Sequence, residues 1–334
     1  FNLTIVMLLV LMLVFQLLQT LSEAETLGKS VERVSNLSDS GGQSPVADAE
    51  NVEFIGHIGG STKAVFVEGN YAYIGESGHL TVLNISNPAV PTVEGRTSPL
   101  HGMVHDVYIS GGYAYIANYG NGLRVVDVSD ASHPTEVGFH DTPGVAKGVI
   151  VSGNTAYIAD YDGLRIMDVS DPAHPTEVGY CDTPGYAEQV AVSGNIAYVA
   201  DWFDGLRVVE VSDPSNPTEI GFYDTRGSAR DVVVIDGTAY IADGPKGLRV
   251  LDVSDPSNPT EIGYCDMPVQ ADGVIVGGNI AYVVGYNNGY PDFDSSLRVV
   301  DVSDPSNPTE IGYWDTPGDA CGVVISGSTV YVAD

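Results

Sequence analysis

Along most of the chain apolar residues come in runs of five or six, bounded by clusters of Gly, Pro, Asn, Asp and Ser. Such runs are too short for helices and predict β-strands with frequent turns. Residues 146–151, 155–159, 164–169 and 176–180 form one set of four, named a to d. Ser152-Gly153-Asn154 is the a/b turn, and residues 170–175 carry Pro172 and Pro175 where no strand can continue. Strands b and c do not alternate cleanly between apolar and polar. Ala-Tyr-Ile-Ala and Leu-Arg-Val-Val-Asp-Val place bulk on both sides, so both faces of the sheet must be covered.

The same set recurs along the chain. Leu123, Leu164, Leu206, Leu248 and Leu297 open near-identical phrases spaced 41, 42, 42 and 49 residues apart, and a weaker copy starts at Leu80. A period of about 42 residues with four strands matches a β-propeller blade and is too long for a leucine-rich repeat. The strand-b tyrosines number the copies: Tyr73, Tyr115, Tyr157, Tyr198, Tyr240, Tyr282 and Tyr331. Residues 52–57 resemble an isolated strand d. The expected fold is therefore all-β, a propeller of four-stranded blades, six complete and a partial seventh closed by the N-terminal strand. The seventh would join residues 52–57 to residues 321–333 and lack a strand c.

The phrases GLRVVDVSDPSNPTEIG, LRIMDVSDPAHPTEVG and LRVLDVSDPSNPTEIG resemble the LVIVD repeat family, over residues 52–334. That resemblance implies a bacterial or archaeal cell-surface propeller and brings no catalytic residues with it. The first copy departs from the pattern, with Thr81 for the usual Arg and Asn84 for the usual Asp.

Charge narrows the partners. With 44 acidic against 13 basic residues the formal net charge is −31, which repels nucleic acid and anionic membranes. Cys181, Cys265 and Cys321 show no metal or redox spacing, and the first two occupy equivalent places in non-adjacent repeats, too far apart to bridge. They are expected to be packing residues. No cofactor is implied.

The first residues carry an apolar run from Ile5 to Phe15, continued by Leu17 and Leu18, and then Ser22-Glu23-Ala24, a small-x-small cleavage site. Residues 1–24 therefore read as a signal peptide or N-terminal anchor, 25–51 as a disordered linker, and 52–334 as the propeller, truncated at its C-terminus. Export to the cell surface or beyond is expected.

Comparing copies within the chain separates scaffold from candidate site. The a/b and c/d turns hardly vary, whereas the d/a and b/c loops, which share the opposite face, do. At one position before strand a the copies read Lys63, His105, Lys147, Glu188, Arg230, Asp272 and Cys321, and strand a should line a central channel. Tyr119, Tyr161, Trp202, Phe203 and an insertion carrying Tyr286, Tyr290 and Phe293 add aromatic side chains on the same face. By contrast, Arg124, Arg165, Arg207, Arg249 and Arg298 recur on strand c, and Asp160, Asp201, Asp243 and Asp334 end strand b. Their repetition predicts structural ion pairs across blade boundaries. The patterns of His101, His105 and Asp106, and of Asp160 and Asp162, are too sparse to assign a metal.

The function expected from these features is a monomeric, non-enzymatic scaffold recognising a surface protein or glycan. Two alternatives stand beside it: a hydrolase or lyase using His101, His105 and Asp272, and a passive surface module.

Overall fold

A computed structural model describes residues 2–3, 6–8, 11–18, 49–50, 52–59, 62–287 and 295–334. The fold is a β-propeller. Six blades are four-stranded antiparallel sheets with strands in the order a-b-c-d. Blade two is typical, with Asp106–Ser110, Tyr113–Ala117, Leu123–Asp127 and Thr135–His140. The first strands of successive blades pack side by side, and that of blade seven, Gly322–Ser326, packs against that of blade one, Thr62–Glu68, so the ring closes.

The core is divided among the blade interfaces. Seven apolar clusters each draw on two neighbouring blades. In one of them Tyr115, Leu123 and Val125 of blade two meet Val149, Ile158 and Met167 of blade three. This is why strands b and c are apolar on both sides: one face serves the blade before and the other the blade after. Each buried Val, Leu or Ile contributes about 1.5–3 kcal/mol, and almost all of it depends on the neighbour being present.

A second contact sets the spacing between blades. Strand d carries a bulge, an extra residue just before a glycine, in each complete blade. A Cβ on Gly138 would fall on the carbonyl oxygen of Pro172, in the c/d turn of the next blade, well inside van der Waals contact. Gly179, Gly221 and Gly263 meet Pro214, Pro256 and Pro305 in the same way. Gly56 repeats the contact: its Cβ would lie 2.6 Å from the carbonyl oxygen of Ala89 in the c/d turn of blade one. Val52–Gly59 is thus strand d of the closing blade, as the sequence predicts.

Two features differ from expectation. The empty c position of blade seven is taken by the backbone of Leu11–Leu18, antiparallel to both Thr329–Ala333 and Val52–Gly59. Residues 19–48, most of the expected linker, lie outside the described residues. The Arg–Asp pairs lie within single blades and do not cross boundaries. Arg165 Nε meets Asp160 at 2.5 Å, Arg207 meets Asp201 at 3.7 Å, and Arg249 meets Asp243 at 3.8 Å, each pair on adjacent strands b and c. The same arginines lie over a strand-d aromatic ring of their own blade, as Arg165 lies 4.2 Å from the centroid of Tyr180. What the Asp joins is the incoming d/a loop: Thr142, Thr183 and Thr225 donate to Asp160, Asp201 and Asp243 at 2.6–2.7 Å.

The glycine contact gives a direct test. Gly221→Ala is expected to lower unfolding free energy by about 2 kcal/mol or more in urea denaturation, because the new methyl group must displace a backbone carbonyl. Gly120, whose Cβ would meet open space, is the control, and Gly120→Ala should stay within about 0.5 kcal/mol. Equal effects of the two would contradict the spacing role.

Candidate functional site

The variable position before strand a is fixed by the backbone. The N–H of His105 donates to the carbonyl of Ala117 at 2.8 Å, and those of Lys147, Glu188, Arg230 and Cys321 donate to Ala159, Ala200, Ala242 and Ala333 at 2.8–2.9 Å. In blades one and six the a/b ladder shifts register at this point, around Lys63 and Asp272. Such an irregularity lets two consecutive residues face the same way. All seven variable residues, one from each blade, line a single cavity of about 290 Å³ at the mouth of the channel.

The charges there are partly paired. Lys147 Nζ is 3.3 Å from Glu188, and Arg230 Nη1 is 2.5 Å from Asp272. Lys63 makes no ion pair among the described residues. Burial raises Glu188 and Asp272 above the usual carboxylate range against the pull of Lys147 and Arg230 respectively. It pushes His105 down to about 3, with Lys147 and Lys63 adding to the effect, so the imidazole is neutral at pH 7. The Cys321 thiol is pushed up to about 12 by burial and is a poor nucleophile.

Beneath this ring lies a second tier, one residue further along each strand, where Asp106, Gln189 and Asp231 also line the cavity. Asp106 accepts from the N–H groups of Val107 and Val149 at 2.8 and 2.9 Å and from Gln189 Nε2 at 3.1 Å. Asp231 accepts from Val232 and Val274, both at 2.8 Å. Val149 and Val274 belong to the next blade, so each carboxylate ties two first strands together. Burial raises both carboxyls, Asp231 to about 7. The alignment that exposes the ring contains this tier one position later, where Asp and Gln stand among Gly and Ala.

Aromatic side chains crown the mouth. Tyr119, Tyr161 and Trp202 follow strand b at equivalent positions and have φ of 49°, 57° and 52°. Gly244 holds the same place in blade five with φ 53°. Left-handed backbone costs a side-chain-bearing residue about 1–2 kcal/mol relative to glycine. Backbone bridges hold these residues: Tyr119 pairs with Ala146, Tyr161 with Ala187 and Trp202 with Ala229, the residues just before Lys147, Glu188 and Arg230. The rings therefore sit beside the charged ring. His105 stacks on Tyr119 at 5.9 Å, Lys147 Nζ lies 5.8 and 5.4 Å from the centroids of Tyr119 and Tyr161, and Arg230 lies 4.9 Å from that of Trp202. Tyr286 lines the cavity and its hydroxyl is 3.4 Å from Arg230 Nη1. Phe203 packs edge-on against Trp202 and is 68% exposed. Tyr186, a d/a-loop residue outside the b/c-loop aromatics singled out from the sequence, stacks on Tyr161 at 4.5 Å. Tyr290 and Phe293 lie outside the described residues.

The model of one repeat family, the LVIVD repeat, matches seven consecutive segments, residues 59–98, 101–142, 143–183, 184–225, 226–267, 269–316 and 317–334. The chain belongs to the LVIVD repeat family. Each matched segment carries one member of the charged ring, so in this LVIVD protein the ring is a property of the repeat array as a whole. A search of curated protein sequences gave no match. Solved propeller-like structures share the fold at low identity. A candidate 6-phosphogluconolactonase from Bacteroides fragilis superposes with TM-score 0.66 at 12% identity, over 85% of this chain and 90% of that one. BamB from Moraxella catarrhalis gives 0.55 at 12% identity, over 86% and 87%. A computationally designed protein gives 0.59 at 8% identity, over 81% and 92%.

Of the residues singled out for enzymatic chemistry, His105 and Asp272 share the cavity of the LVIVD ring, but His101 does not line it. His101 lies on the loop above, with φ 60° and its carbonyl accepting from Asn121. Asp160 is fully buried and occupied by Thr142, Gly144 and Arg165, so its pattern with Asp162 is structural. No group of three or more His, Cys, Asp or Glu residues is placed to hold a metal among the described residues.

The buried carboxyls make stability depend on pH. Burial raises Asp201 and Asp243 to about 6 and Asp231 to about 7. Between the ordinary carboxylate value and these values the folded chain holds protons that the unfolded chain has released, so stability falls as pH rises through that window. The exposed turn residues Asp168, Asp213 and Asp252 are lowered by hydrogen bonds from neighbouring Ser and Asn side chains and Ser amides, and act only at more acidic pH. The melting temperature is therefore expected to drop between about pH 4 and about pH 7, the several carboxyls outweighing His105, whose lowered value acts in the opposite sense below about pH 6.5, as measured by thermal circular dichroism. A flat or rising profile would contradict the burial of these groups.

Proposed function

We propose that the chain is an exported, non-enzymatic binding scaffold that recognises a protein or glycan at the cell surface through its d/a and b/c loop face. One observation carries this reading: the seven residues that differ from copy to copy, each otherwise embedded in near-invariant repeat, converge on one cavity. A scaffold position needs the same residue in every blade. Six residue types at one position, in a place where all seven meet, are what selection for a ligand leaves behind. The aromatic residues held in left-handed backbone beside that cavity support it, since glycine serves the same turn in blade five. The reading of export rests on the apolar run and cleavage-site pattern of residues 1–24, and cleavage there would vacate the c position of blade seven that Leu11–Leu18 fills.

A hydrolase or lyase is the second reading, favoured by the presence of His105 and Asp272 in one cavity. The pairing of Asp272 with Arg230 leaves that carboxylate engaged, and His101 stands apart.

Binding of the full chain to glycan and surface-protein arrays is expected to be lost when Lys147, Glu188, Arg230 and Asp272 are all changed to Ala, with the circular dichroism spectrum retained. Tyr119→Gly is expected to weaken binding while leaving stability unchanged or raising it by up to about 1 kcal/mol, because the backbone strain is relieved. A ligand indifferent to both changes would move the function away from this face. Substrate turnover lost in His105→Ala would favour the enzyme.

A further inference from the structure

The order of residues around the ring says what the ligand should carry. Resting on the binding reading above, we propose that the cavity takes the carboxylate of an acidic sugar residue on an arc formed by Lys63, His105 and Lys147, with adjoining sugar faces on the tyrosines at the mouth.

The ring divides into two halves. Glu188, Arg230 and Asp272 are consecutive, and the guanidinium of Arg230 is committed to Asp272 while also reaching Gln270 and Tyr286 at 3.2 and 3.4 Å. The other half, blades one to three, presents Lys63, His105 and Lys147 in succession. Lys63 is exposed and without an ion pair among the described residues, and Lys147 has one carboxylate for its three donors. Between the two ammonium groups the His105 ring is stacked on Tyr119, which fixes its plane. Counting Lys63, Lys147 and Arg230 against Glu188 and Asp272 leaves one positive charge in the ring. That suits a single carboxylate and opposes a dianion, with the Asp106 and Asp231 carboxyls beneath raised by burial toward their neutral form.

Those carboxylates are the reason for choosing a sugar acid over an acidic peptide. Glu188, Asp272 and Asp231 are acceptors lining the same cavity, and a polyol presents hydroxyl donors to them while its carboxylate faces the lysines. A glutamate side chain offers no such donors. Moreover, a peptide with several acidic residues would meet the field of a chain bearing a net charge of −31. The cavity volume of about 290 Å³ is at the small end for ligand sites and fits one monosaccharide unit. Tyr119 and Tyr186, 45% and 50% exposed at the rim, offer the flat apolar faces on which the next sugar would stack.

Calorimetric titration of the full chain with methyl glucuronide, methyl glucoside and triglutamate tests this. Methyl glucuronide is expected to bind about tenfold tighter than methyl glucoside. Lys63→Gln, at an exposed position that should not affect folding, is expected to abolish the preference. Glu188→Gln frees Lys147 and is expected to tighten glucuronide binding severalfold. Equal binding of the two sugars, a preference that survives in Lys63→Gln, tighter binding of triglutamate, or no glucuronide binding at millimolar concentration would each overturn the proposal. If the array screen meanwhile returns a ligand that is lost in the four-residue variant but indifferent to Lys63→Gln, the face remains a binding site and only the sugar-acid assignment falls.

Discussion

Everything in this molecule depends on one blade lying against the next. A four-stranded sheet with apolar residues on both faces cannot stay in water alone, and each of the seven apolar clusters is completed only by a neighbour. The strand-d glycines then fix how near that neighbour comes, because a carbonyl of its c/d turn occupies the space a side chain would need. Stability in such an array is close to a sum of nearest-neighbour terms, and a ring adds the term that joins its ends. Gly56 against Ala89 is part of that term in this chain, formed by the same contact as at the interfaces joining blades one to six.

This packing also explains where variation is tolerated. Residues within strands b and c touch two blades at once and are held nearly constant, as are the turns that receive the strand-d glycines. The residue just before strand a is different. Its backbone N–H is tied to strand b, and the alanine before it is buried in blades three to seven, yet its side chain points into the channel and takes no part in the apolar packing between sheets. Changing it costs the scaffold little. The left-handed aromatic residues at the rim are the opposite case: glycine would be easier there, and Tyr119, Tyr161 and Trp202 persist at some expense in stability. The site is thus assembled from one class of position the fold leaves free and another where it is mildly strained.

How much of this could be read from the sequence follows from the same physics. The blade count, the closing strand and the membership of the charged ring were legible because internal repetition supplies seven aligned copies, and equivalent positions in a closed ring must converge on its axis. Partnerships were not. Repetition every 42 residues or so cannot distinguish a contact within one blade from the same contact made to the next, and the Arg–Asp pairs, expected across boundaries, lie inside single blades. Nor does the alignment show that Lys147 turns to Glu188 and Arg230 to Asp272, since that depends on which way long side chains lean around the ring. Gln189 and Asp231, and the place of Asp106 in one tier with them, stayed hidden for another reason. Two consecutive residues at the start of strand a line the cavity, which alternation along a strand does not predict.

The distribution of charge bears on how an anion could reach this channel at all. A net charge of −31 opposes it, and acidic residues stand at both ends of the blades: at the d/a end the exposed Asp141, Asp224 and Asp266 are each paired with a strand-c arginine. Asp127, Asp130, Asp168, Asp171, Asp213 and Asp252 lie in the c/d turns, where neighbouring Ser, Asn, His and backbone N–H groups hold their carboxyls ionised. In an a-b-c-d antiparallel blade those turns lie at the opposite end from the d/a and b/c loops. The blade is about five residues long, roughly 17 Å at 3.4 Å per residue, and exposed charges are screened over about 8 Å at physiological ionic strength. The c/d turn carboxylates are therefore largely screened from the channel mouth in salt, while Lys147, sheltered in a concave site, is screened much less. At low ionic strength the two ends would be felt together and the repulsion would reach the mouth. Ionic strength thus decides how far the c/d turn carboxylates act on the cations of the ring.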